Sequence, residues 1–136
     1  LAALFLYTGT SKIIAWQETY HSLRNQVFAP WMVEIIFYTL PPIELITAFL
    51  LVIPKWRLRG IYLSLLMMAA FTAYIAIVMT GIFGRIPCTC GGVVSKLTWS
   101  QHLMFNLTFL SISLLAAYLC NHSPPHIQKH KVNLQK

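Results

Sequence analysis

The chain has 136 residues, of which 57% are hydrophobic and only 10% charged, with a mean hydropathy of +0.66. A water-soluble domain carries about a quarter charged residues, so this composition excludes an ordinary soluble fold and points to helices in a lipid bilayer. The formal charge of +7 sets ten Lys and Arg against Glu18, Glu34 and Glu44, but the basic residues lie scattered between apolar runs without interleaved aromatics, which excludes a nucleic-acid surface.

Leu1 to Ser11 is free of charge yet shorter than the ~20 residues that cross a hydrocarbon core. It runs on into Gly9-Thr-Ser-Lys12-Ile-Ile-Ala-Trp16. A first helix is therefore expected over about 1–16, with the chain beginning inside it. A cleaved signal peptide fits less simply, because the mature end would still start in an apolar run. Gln17 to Trp31 reads as a loop. A second helix is expected over 33–53, interrupted by Glu44 and by Pro41-Pro42, which should free backbone carbonyls and kink it.

Lys55, Arg57 and Arg59 make a short basic loop around Trp56. Gly60 to Gly84 is a 25-residue window without Lys, Arg, Asp or Glu, and Leu97 to Cys120 is another of 24. They predict helices over 59–81 and 99–120. The expected architecture is an all-α, integral membrane four-helix bundle over 1–120, followed by a polar, basic tail, 121–136, with Pro124-Pro125. Trp16, Trp31, Trp56 and Trp99 all fall at span ends, where indole rings prefer the interface.

Charge predicts the orientation. The Trp56 loop and the tail residues Lys129, Lys131 and Lys136 share one side of such a bundle and hold six positive charges. Arg24, Arg85 and Lys96 lie on the other, with Lys12 near the end of the first helix. By the positive-inside rule the six are cytoplasmic. The loop from Ile82 to Ser100 then faces outward.

That loop carries Cys88-Thr-Cys90-Gly91-Gly92, directly after Pro87. Two thiols one residue apart can close a small, strained disulfide, which accepts electrons readily. Outside the cytoplasm such thiols meet an oxidising compartment. A redox pair and a structural disulfide pinning the loop fit the spacing equally well. Close thiols also suit soft metals, but Met67, Met68, Met79 and Met104 read as packing residues, so no metal site is expected. Cys120, at the far end of the last helix, reads as a small hydrophobe.

Two polar clusters stand out in the apolar background. His102 and Asn106 are four apart and share a helix face just below the cysteine loop. A neutral His there can shuttle a proton or polarise a quinone carbonyl, and an imidazolium would favour a thiolate. A histidine hydrated at headgroup level is the plainer reading. Glu44 falls near mid-bilayer, where a carboxyl group is costly and is paired or functional. Lys12 is its expected partner, with Glu34 competing. A purely structural ion pair between the first two helices fits as well as a catalytic one.

Gly9-x-x-Lys12 at the close of the first helix, Pro42-x-Glu44-Leu45 in the second, the basic loop before Gly60, and Cys88-x-Cys90-Gly91-Gly92 before an Asn-bearing last helix together resemble the MauE branch of the DoxX-like membrane proteins. The resemblance runs from Leu1 to about Leu119. Gly91 directly after Cys90, and His102 early in the last helix, depart from that pattern. The resemblance implies four membrane helices in a bacterial cytoplasmic membrane and a role in methylamine utilisation. It further implies Cys88 and Cys90 as catalytic residues, exchanging disulfides with a thioredoxin-like partner during maturation of an exported protein. His102, Asn106, Glu44 and Lys12 would support them, with a quinone as the candidate cofactor. A non-enzymatic scaffold or subunit of a membrane complex, and a Cu(I)-handling membrane protein, are the alternative readings.

Overall fold

A computed structural model describes residues 1–84 and 98–122. Among them the chain is all-helical, with five helices: α1 (Ala2–Ile14), α2 (Trp16–Arg24), α3 (Pro30–Val52), α4 (Arg57–Met79) and α5 (Trp99–His122). The connection that carries Cys88 and Cys90, and the tail from residue 123, lie outside the described residues.

Helices α3, α4 and α5 have 23, 23 and 24 residues. At 1.5 Å per residue each runs about 35 Å, enough for a ~30 Å hydrocarbon core. Helix α1, with 13 residues, runs only about 20 Å. The described residues thus hold three helices of spanning length, where the sequence predicts four.

The second difference is α2, which occupies much of the expected Gln17–Trp31 loop. The helix leaves its path at Ala15 (φ −94°, ψ 49°) and restarts at once. The Lys12 carbonyl, released by that break, accepts the Thr19 hydroxyl at 3.4 Å. Trp16 and Tyr20, four apart, then set their rings against Phe37 of α3, at 4.1 and 5.1 Å between centroids. Packing on α3 stabilises a nine-residue helix that is too short to persist alone.

The other boundaries follow local chemistry. Pro30 opens α3 at a position where its missing N–H costs nothing, and Pro54 follows its end. Helix α3 runs through Pro41 and Pro42 as one element. Thr98 and Gln101 make a reciprocal cap at the start of α5: Gln101 Oε1 accepts the Thr98 N–H at 2.9 Å, and Thr98 Oγ1 accepts the Gln101 N–H at 3.4 Å.

Helix α1 packs along α3, and α4 packs between α3 and α5. Two glycines set the approach distances. A Cβ on Gly9 would lie 3.0 Å from Leu45 Cδ2 and 3.2 Å from Glu44 Cβ, so α1 meets α3 at Gly9. A Cβ on Gly60 would lie 2.8 Å from the Leu51 backbone nitrogen, so α4 begins against the last turns of α3.

An apolar core that includes Phe5, Ala48, Met67 and Met68 holds polar side chains beside it, while large apolar side chains face outward. Glu44, Thr47, Ser64, Asn106 and Ser113 are buried, whereas Leu66, Met104, Leu115 and Tyr118 stand outward, each more than half exposed. The interior brings small polar groups of neighbouring helices together: Ser64 Oγ lies 3.5 Å from Ser113 Oγ between α4 and α5, and Thr47 Oγ1 lies 3.5 Å from Met67 Sδ between α3 and α4, while the Ser64 and Thr47 hydroxyls donate to the Ile61 and Ile43 carbonyls at 2.8 and 2.7 Å. Apolar outside and polar-glued inside is the arrangement that suits lipid as solvent.

Candidate binding cavity

The α1–α2 break, the start of α5 and the second half of α4 line a half-open cavity of about 510 Å³. Helix α1 contributes Thr8, Ser11 and Lys12, α3 contributes Leu40 and Glu44, and α4 contributes Met68, Phe71 and Tyr74. From α5 come Trp99, His102, Phe105 and Asn106. Helix α2 and the chain after it close the cavity with Thr19, Leu23, Gln26 and Phe28. Tyr74 holds that cover in place: its hydroxyl donates to Gln26 Oε1 at 2.7 Å, and its ring stacks on Phe28 at 4.8 Å.

Lys12 and Glu44 meet in the wall of this cavity. The ammonium donates to both carboxylate oxygens, at 2.8 and 3.0 Å, and Glu44 is 2% exposed. The geometry follows from the sequence. Gly9 lets α1 touch α3 beside Glu44, and Lys12, three residues on, shares the Gly9 face. Glu34 does not compete for Lys12; it accepts the Tyr20 hydroxyl at 2.6 Å.

The four supporting residues singled out in the sequence, Lys12, Glu44, His102 and Asn106, therefore line one cavity. Asn106 is the most constrained of them. It is 5% exposed, and its Nδ2 is buried with no acceptor among the described residues. Cys88 and Cys90 lie outside the described residues, and Cys120, on the last turn of α5, is a half-buried free thiol away from the cavity lining. Met67 and Met68 are buried while Met79 and Met104 are exposed, so these methionines do not converge. No group of three or more His, Cys, Asp or Glu converges for a metal among the described residues.

Sequence reasoning missed the covering elements: Thr19, Gln26, Phe28 and Tyr74. The signal was weak but present. Trp16, Tyr20 and Leu23 recur at i, i+4 and i+7 in a polar stretch, the spacing of a short amphipathic helix.

No curated protein and no solved structure matches the chain. A family model described as methylamine utilisation protein MauE matches residues 1–119. That match covers every described helix but the last turn of α5, and it coincides with three helices long and apolar enough to cross a bilayer; the chain belongs to the MauE family, as a membrane protein related to methylamine utilisation.

Proposed function

We propose that this protein is a four-span membrane redox partner, in which Cys88 and Cys90 exchange disulfides with a thioredoxin-like protein outside the cytoplasm. In this reading the exchange serves maturation of an exported protein. The observation that carries it is the C-x-C pair itself, in the connection between the end of α4 and the start of α5. The basic α3–α4 turn, with Lys55, Arg57 and Arg59, is at the opposite end of those helices, which supports an outward cysteine connection. Gly9 meets Glu44 and Leu45, Trp16 meets Phe37, and Tyr20 meets Glu34. This antiparallel order lays α1 and α2 together along α3, and supports reading the pair as a fourth, broken span.

The chemistry balances without a further reagent. A thiolate of one partner attacks a disulfide sulfur of the other, forming a mixed disulfide and releasing one thiolate. The second thiolate of the attacking pair then displaces the first adduct. One pair ends as a disulfide and the other as a dithiol, with two electrons transferred.

A pair that works this way cannot resolve the adduct with one cysteine missing. Either Cys88→Ser or Cys90→Ser, but not both, should trap a reducible covalent complex with a thioredoxin-like protein on a non-reducing gel of native membranes. Cys120→Ser should be silent. Full function in both single variants without any adduct would end the exchange reading. Poor folding of both, again without adduct, would favour a structural disulfide.

A further inference from the structure

The cations of the α3–α4 turn have no counter-charge within reach. Lys55, Arg57 and Arg59 are all exposed, and the acidic side chains of the whole chain are Glu18, Glu34 and Glu44. Glu44 is buried and already holds Lys12. Glu34 lies in the second turn of α3, about 27 Å from the last residue of that helix, Val52. Glu18 shares the same far end, because Trp16 and Tyr20 on either side of it meet Phe37 and Glu34. In physiological salt the interaction between exposed charges fades over about 8 Å, so neither acid reaches the turn. Three positive charges there are left to be balanced from outside the fold.

The turn is held by its own backbone: the Ile53 carbonyl accepts the Trp56 N–H, and the Trp56 carbonyl accepts the Gly60 N–H, each at 3.1 Å. Gly60 seats the start of α4 against the last turns of α3. Val52, Trp56, Leu58 and Tyr62 stand outward around the three cations, each more than a third exposed. An apolar shoulder beside fixed cations suits an amphiphile with an anionic head, whereas a soluble anion has nothing to place on the shoulder. Guanidinium groups suit phosphate oxygens in particular, because their N–H donors form a matching fork. We propose that the α3–α4 turn binds anionic phospholipid headgroups, with Lys55, Arg57 and Arg59 on their phosphodiesters and Trp56 at the acyl boundary. This contact depends neither on the thiol chemistry of Cys88 and Cys90 nor on which side of the membrane the turn faces.

Phosphatidylglycerol and phosphatidylcholine share a phosphodiester and differ in net charge, so they separate a charge-selective contact from a plain lipid annulus. With the full chain in phosphatidylcholine vesicles, spin-labelled forms of both lipids are added, and the motionally restricted fraction of each gives their relative affinity. In about 0.01 M salt, where screening is weak, phosphatidylglycerol should be favoured at least about fivefold, the factor for one cation at an anionic lipid surface. About 1 M salt should cut that preference to below about twofold. Lys55→Gln, Arg57→Gln and Arg59→Gln combined should lower the low-salt preference by at least the same fivefold factor. Arg24→Gln should leave it unchanged, because Arg24 lies over the ring of Tyr20, whose hydroxyl meets the Glu34 carboxylate. Should the triple variant fail to fold, Arg59→Gln alone, lowering the preference at least about twofold, decides the matter together with the salt response. No preference in the wild type, a preference indifferent to salt, one that survives the triple variant, or one that falls equally with Arg24→Gln would each overturn the proposal.

Discussion

At the scale of single residues, the Lys12–Glu44 pair decides how the two N-terminal elements hold together. Glu44 is almost fully buried and Lys12 is 26% exposed, so removing one partner strands a charge in a poor solvent. Breaking such a pair costs about 3–5 kcal/mol, whereas replacing both partners with apolar residues is often neutral. Glu44→Leu alone should therefore lower the thermal midpoint clearly, and Lys12→Met combined with Glu44→Leu should recover most of it. Equal loss in the single and double variants, by thermal unfolding in detergent, would show that the two side chains do not depend on each other. This contact was legible in the sequence because an acid inside an apolar run has few partners, and Lys12 stands three residues after Gly9. The hydrogen bond from Tyr20 to Glu34 was not legible, since both residues flank a stretch that reads as loop.

At the scale of elements, the long helices were legible because charge-free windows are a strong signal, and their limits at Val52, Arg57 and Trp99 agree with the windows to within a few residues. Helix α2 was not: its nine residues are mostly polar, and it exists through packing on Phe37 and Glu34 rather than through propensity. The helix contacts were hidden for a related reason, since a glycine in sequence does not say what it faces. The two close approaches now differ in kind. A Cβ at Gly60 meets the backbone nitrogen of Leu51 at 2.8 Å, which cannot move without shifting α3; at Gly9 it meets only side-chain atoms, Leu45 Cδ2 at 3.0 Å and Glu44 Cβ at 3.2 Å, which ask for a smaller shift. Alanine gains about 1 kcal/mol of helix propensity over glycine at either position, while forced overpacking costs about 1–3 kcal/mol. Gly60→Ala should thus destabilise, and Gly9→Ala should come out near neutral. The reverse order of unfolding midpoints would contradict the α3–α4 approach.

At the scale of the whole molecule, the distribution of chemistry is lopsided. The cavity, α2, and the ends of α4 and α5 that flank the cysteine connection gather at one end, while Lys55, Arg57, Arg59 and Cys120 belong to the other. Composition made the membrane setting readable, but not the cavity, which depends on five helices meeting and on one break at Ala15. For the proposed thiol exchange this makes orientation decisive, because that reading needs the cysteine connection to meet an oxidising compartment. Juxtamembrane Lys and Arg favour the cytoplasmic side, so the α3–α4 turn should be inside and the α4–α5 connection outside. A membrane-impermeant maleimide applied to reduced, intact spheroplasts should then label Cys88 or Cys90 and spare Cys120, with single-cysteine variants assigning the label. Permeabilised spheroplasts control for access: a Cys120 that stays dark there is shielded by lipid, and the comparison then rests on a cysteine placed at Lys55. Labelling of Cys120 or of Lys55→Cys in intact spheroplasts, with Cys88 and Cys90 spared, would invert the molecule. It would also put the thiol pair among cytoplasmic reductants, where a disulfide exchange with an exported partner has no place.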